Sequence, residues 1–177
     1  MDRKELRLSG SGGQGLITGG IILAEAALHD GLNVVQSQSY GPEARGGASK
    51  AEIIISKEEI SFPKVTNCDI LLSLTQLSCD KYLYGLKSGG ILIIDESVTI
   101  PSREDITIYQ VPILDTASNK LNKAMVANIV ALGVIYSVSK VVTKESLEKA
   151  VLARVPRGTE ELNKAALNEG FALAKKI

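Results

Sequence analysis

Glu5-Leu6-Arg7-Leu8-Ser9-Gly10-Ser11-Gly12-Gly13-Gln14-Gly15 reads as a strand over 5–9 that breaks into a glycine-rich turn. Four glycines in the six residues 10–15 relax the backbone where it leaves the strand, so that exposed N–H groups can meet an anion or another chain's backbone. Beyond the turn, Leu16, Ile17, Ile21, Ile22, Ala24 and Leu28 recur at helical spacing, and Asp30-Gly31 stops the helix. Strand, glycine turn and helix together open an α/β fold. The spacing Gly-x-Gly-x-x-Gly becomes a dinucleotide fingerprint only inside a βαβ unit with an acidic residue about 20 positions on.

The next strand, over 33–37, leads into Gln36, Ser37 and Gln38 where a nicotinamide enzyme places its ribose-binding carboxylate, so the dinucleotide reading loses support. There follows Gln38-Ser39-Tyr40-Gly41-Pro42-Glu43-Ala44-Arg45-Gly46-Gly47, a loop that joins three glycines and a proline to one aromatic, one carboxylate and one guanidinium. Two readings stay open. The loop is a tight turn with a surface Glu43–Arg45 pair, or Arg45 is held to grip a phosphate or carboxylate bidentately.

Strands are expected over 48–56, 69–74, 91–95 and 106–111, with Gly89-Gly90 as the turn into the third of these. Asp95-Glu96 reads as a solvated strand end, since adjacent carboxylates in an extended segment face opposite sides. A helix opens at Thr75-Gln76, an apolar one rich in small residues runs over 123–138, and two amphipathic ones fill 143–154 and 158–177. The helix over 123–138 is apolar on nearly every face, which places it centrally in the core or against a partner. The order of elements predicts a three-layer α/β fold on a mainly parallel Rossmann-like sheet, with helices gathered at the C-terminus and one domain over 1–177.

Composition narrows the function classes. Twenty basic and twenty acidic residues cancel, which argues against general binding of nucleic acid or an anionic membrane. The start of the chain lacks the apolar region of a signal peptide, and the longest apolar segment is shorter than the about 20 residues of a bilayer span, so a cytoplasmic location is expected. Cys68, Cys79 and the single histidine, His29, are too few and too scattered for a metal or iron–sulfur site. The cysteines are expected to be reduced packing residues and His29 a solvated helix end. No nucleophile is paired with a base, and no Lys-Ser/Thr follows the glycine turn, so no catalytic residue is assigned and a P-loop phosphotransferase is disfavoured.

Read together, Gly10, Gly12, Gly13, Gln14 and Gly15 and the second loop, Tyr40, Gly41, Pro42, Glu43, Ala44, Arg45, Gly46 and Gly47, closely resemble the gamma subunit of the 2-oxoacid:ferredoxin oxidoreductases. The resemblance covers essentially the whole chain. It implies a non-catalytic part of an enzyme whose alpha and beta subunits, joined by delta in a four-subunit form, carry thiamine diphosphate, Mg2+ and iron–sulfur clusters. Such an enzyme decarboxylates a 2-oxoacid, reduces ferredoxin and forms an acyl-CoA from coenzyme A, or runs the reverse reaction. The Tyr-Gly-Pro-Glu-Ala-Arg-Gly-Gly form of the second loop is more similar to 2-oxoglutarate-type than to pyruvate-type chains. The resemblance further implies that the two loops form a binding or subunit-interface surface, and that the assembly is a symmetric dimer, with self-association expected through the apolar helix from Lys123. The rival reading is a free-standing nucleotide- or CoA-binding module, and a third is a purely structural scaffold.

Overall fold

The computed structural model describes residues 3–39 and 47–174. A six-stranded sheet has the order β2-β3-β1-β4-β5-β6, with β1 Lys4–Ser11, β2 Asn33–Gln38, β3 Ala48–Ser56, β4 Cys68–Ser73, β5 Leu86–Asp95 and β6 Thr107–Val111. β1, β4, β5 and β6 run parallel, while β3 lies antiparallel between β1 and β2. The three-layer, mainly parallel reading holds, with β3 as the reversed strand.

The near-continuous apolar runs follow from burial on both faces. Leu6, Leu8, Ile53, Ile55, Ile70, Leu72 and Ile93 point into one core, and Ile54, Leu71, Leu92 and Ile94 into the other. Helix α1 (Leu16–His29) covers the first face together with α4 (Ala127–Ser139), α5 (Lys144–Arg154) and α6 (Glu160–Leu173). The second face is covered by α2 (Gln76–Tyr82). Between β6 and α4 the chain winds through a short α3 (Ile113–Asp115), a π-helical turn (Thr116–Lys120) and a 3-10 turn (Ala124–Val126).

Three local expectations change. Gly89-Gly90 is not a turn ahead of a strand. It lies inside β5, where the parallel register slips so that Cys68 faces Leu86 and Ile70 faces Ile91, and the surplus residues form a bulge. Asp95 is not solvated. It is 1% exposed, and its carboxylate accepts hydrogen bonds from the Ser97 N–H and Oγ (3.0 and 2.7 Å) and from the Leu114 N–H at 2.8 Å. These bonds fasten the end of β5 to the start of α3, while Glu96 stays exposed. The apolar helix sits inside the molecule: every residue over 127–135 of α4 is buried, so this stretch offers no self-association face. His29, as expected, is exposed.

The small residues of α4 permit close approach to α6. A Cβ on Gly133 would lie 2.5 Å from the Leu167 carbonyl oxygen, and one on Gly170 would collide with the Val130 carbonyl oxygen. Beyond the crossing, Tyr136 and Phe171 pack edge to face at 5.2 Å. Gly170→Ala is therefore expected to destabilise the protein by roughly 2 kcal/mol or more, because backbone must shift to admit a methyl group. Thermal unfolding should show a fall in Tm on the order of 5 °C.

α1 is tied to α5 at its far end. The Asp30 carboxylate accepts hydrogen bonds from Thr143 N–H and Oγ1 (both 2.6 Å) and from Ser146 Oγ at 2.5 Å, which caps the start of α5. Burial pushes the Asp30 pKa up, but the hydrogen bonds from Ser146 and Thr143 outweigh it and hold the pKa below 3.8. A carboxylate depressed in the folded state contributes stability above its unfolded pKa and loses it as pH falls through the folded value. In Tm measured between pH 6 and pH 2, Asp30→Asn should remove part of the acid-side loss. An unchanged pH profile would rule out this linkage.

Candidate functional site

β1 delivers the glycine turn to one end of the sheet, where it is held by its own side chains. Gly10 is the penultimate residue of β1 and buried; Gln14 Oε1 and Leu16 occupy the space a side chain there would need. Gln14 folds back so that its Oε1 accepts the Ser11 N–H at 2.8 Å. Gly15 takes the left-handed conformation, φ 72°, as the N-cap of α1, and its carbonyl accepts the Gly19 N–H at 2.9 Å. A second donor reaches the same carbonyl from a distant part of the chain, the Asn128 Nδ2 at 3.1 Å. Gly12 and Gly13 remain exposed at the apex.

The antiparallel pairing of β1 with β3 sets Ser49 opposite Gly10 and Ala48 opposite Ser11. The Ser39 N–H donates to the Lys50 carbonyl at 3.3 Å. Ser39 and Gly47, the two flanks of the second loop, thus come to the same edge as the glycine turn. Tyr40, Gly41, Pro42, Glu43, Ala44, Arg45 and Gly46 themselves lie outside the described residues. An open depression of about 340 Å³ is shared by Gly12, Gly13, Leu16, Ile17, Ser39 and Ser49. On the other flank a largely apolar one of about 470 Å³ joins Gly12, Gly13 and Gln14 to Leu114, Ala124 and Met125. Met125 is 76% exposed beside it.

Below this edge a charged network fixes the start of β3. Buried Arg7 pairs with Glu52 at 2.7 Å, Lys50 shares the same carboxylate at 3.0 Å, and Arg7 lies 5.5 Å from the Tyr82 ring centre. The Tyr82 hydroxyl donates to the Ala48 carbonyl at 2.9 Å. Burial makes such a network costly to break, since the loss of one partner strands the other.

The geometry argues against a dinucleotide site. In that fold β1 and β2 are parallel neighbours, whereas here β3 separates them. The first glycine is buried in the strand, and Gln14 fills the space beneath the turn. Among the described residues no group of three or more His, Cys, Asp or Glu is placed to hold a metal ion. No helix among them is long and apolar enough to cross a membrane. Cys68 and Cys79 are free and buried. Burial pushes the Cys68 thiol up to about 11; it also raises Cys79, with a further push from Asp80. Both thiols are therefore expected to resist a disulfide-exchange reagent at pH 8 in the native protein and to react on unfolding. Fast titration of either thiol without denaturant would contradict their burial.

A protein-family model described as pyruvate ferredoxin/flavodoxin oxidoreductase matches residues 5–173. The chain belongs to this family. It is 49% identical to the 2-oxoglutarate synthase subunit KorC of Methanocaldococcus jannaschii, over 99% of this chain and 96% of that protein. The corresponding KorC of Methanothermobacter marburgensis is 44% identical over 97% of this chain and 96% of its own. Among solved structures, the gamma subunit of a keto/oxoacid ferredoxin oxidoreductase from Geobacter sulfurreducens superposes with a TM-score of 0.91. It is 48% identical, covering 99% of this chain and 98% of that one.

Sequence reasoning selected neither Met125, which lines the apolar depression, nor Asn128, which reaches the turn from α4. The signal for Asn128 is a lone carboxamide in a mostly apolar helix.

Proposed function

We propose that this chain is the gamma subunit of a 2-oxoglutarate:ferredoxin oxidoreductase, which converts 2-oxoglutarate, CoA and oxidised ferredoxin to succinyl-CoA, CO2 and reduced ferredoxin. The observation that carries the reading is near full-length identity of 49% to a 2-oxoglutarate synthase subunit on a chain whose turn and loop flanks converge on one open edge. In this reading thiamine diphosphate, Mg2+ and iron–sulfur clusters reside with the alpha and beta subunits and supply the decarboxylation and electron transfer. Two buried cysteines and one exposed histidine suit a chain that supplies position and shape.

The edge where Gly12, Gly13, Gln14 and Gly15 meet Ser39 and Gly47, the flanks of the second loop, is the surface offered to those subunits. Exposed glycines admit a neighbouring backbone or a phosphate presented by it, Met125 adds a flexible apolar contact, and Glu43 and Arg45 provide one charge of each sign. CoA and ferredoxin are met in the assembled enzyme.

Reconstitution with separately purified alpha and beta subunits tests this. Ferredoxin reduction dependent on 2-oxoglutarate and CoA should require the chain, and a preparation equally active without it would sink the assignment. Met125→Glu is expected to leave Tm within about 1 °C, as exposed substitutions usually do. The same change should weaken assembly at least tenfold, and Arg45→Ala should lower turnover or assembly. Normal assembly and turnover in both variants would move the interface elsewhere.

A further inference from the structure

The Asn128 carboxamide is engaged at both ends. Its Oδ1 accepts the Ile129 N–H at 2.9 Å, one of the donors left without an intrahelical partner at the start of α4. Its Nδ2 donates to the Gly15 carbonyl at 3.1 Å, across 113 positions of sequence. The first bond fixes the plane of the amide, so the second is aimed rather than free to wander. Asn128 is 8% exposed, and a Cβ on Gly15 would lie 2.8 Å from its Nδ2. The two residues therefore fit only with glycine at the turn and a compact donor on the helix.

Gln14 performs the matching task at the other end of the turn through its bond to the Ser11 N–H. Between these two anchors Gly12 and Gly13 make an exposed apex, and among the described residues nothing lies within 4 Å of where a side chain on Gly13 would begin. An unanchored apex of this composition would sample many backbone states, and docking would then require ordering it at an entropic cost.

We infer that Asn128 is a positioning residue: the bond from its Nδ2 to the Gly15 carbonyl, acting with Gln14, holds the apex at Gly12 and Gly13 in the shape that the partner subunits recognise. The inference rests on the docking role proposed above and assigns its pre-organisation to one donor. α4, a helix buried in the core over 127–135, thereby also shapes the docking edge.

Asn128→Asp separates this role from ordinary stability. The aspartate keeps an acceptor for the Ile129 N–H and sits favourably at a helix start, but it sets a carboxylate against the Gly15 carbonyl in place of a donor. Three readouts are needed on the chain: Tm, hydrogen exchange of the Ser11, Gln14 and Gly19 amides that bond within the turn, and the dissociation constant for the alpha and beta subunits. Ile135→Val, a buried change at the far end of α4, serves as a control of comparable destabilisation.

Asn128→Asp is expected to speed exchange of the Ser11, Gln14 and Gly19 amides, whose acceptors lie within the turn, at least tenfold and to weaken subunit binding about tenfold, while Ile135→Val lowers Tm and changes neither. Binding should recover as pH falls and the aspartate becomes a protonated donor. If Asn128→Asp lowers Tm but leaves exchange and binding at wild-type values, the inference is overturned. If the wild-type chain binds neither subunit, the docking role fails. The exchange measurement then still decides whether Asn128 holds the turn.

Discussion

β1 is hydrogen-bonded along both edges, antiparallel to β3 and parallel to β4, and this double pairing determines where the glycine turn emerges and what stands beside it. The antiparallel edge brings Ala48 and Ser49 level with Ser11 and Gly10. The parallel edge continues past the strand, where the Leu74 N–H donates to the Ser9 carbonyl at 3.0 Å. A one-residue slip on either side would turn Leu6 and Leu8 out of the core and move the flanks of the second loop away from the turn. Burial of both sheet faces makes such a slip costly, so the position of the candidate site is a by-product of core packing.

α4 and α6 are joined by close backbone contact. Gly133 and Gly170 let α4 and α6 approach backbone to backbone, which draws α4 against the sheet and brings Asn128 under the turn. The Asn128–Gly15 bond that links α4 to the turn thus depends on how closely two helices pack some distance away. Asp30 secures the other end of α1 to α5, so the helix that begins at the turn is restrained at both termini.

Much of the architecture was legible in the sequence because its signals are local. The helix after the turn announces itself by periodicity, the strand over 48–56 and the apolar helix by near-continuous apolar runs, and both buried cysteines could be placed by their isolation. Asp95 was misread because alternation along a strand says which way a carboxylate points but not whether a loop folds over it; the Leu114 N–H comes from beyond β6. Gly89-Gly90 looked like a turn because glycines punctuate turns and bulges alike, and only the register against β4 separates the two. The apolar helix left core and partner burial open, since periodicity reports that a face is covered and not by what.

By itself the sequence determined the α/β class, the two glycine-bearing loops and, through their joint pattern, the family. Backbone permissiveness and hydrophobic period are written within about ten neighbouring residues and need no tertiary contact to be read. Only the tertiary structure decided that β3 is reversed and separates β1 from β2, that the turn is locked by Gln14 and Asn128 and filled beneath, and that both loop flanks share one edge. Each of these depends on contacts between residues remote in sequence, and Asn128 and Gly15 meet only because the whole core closes between them.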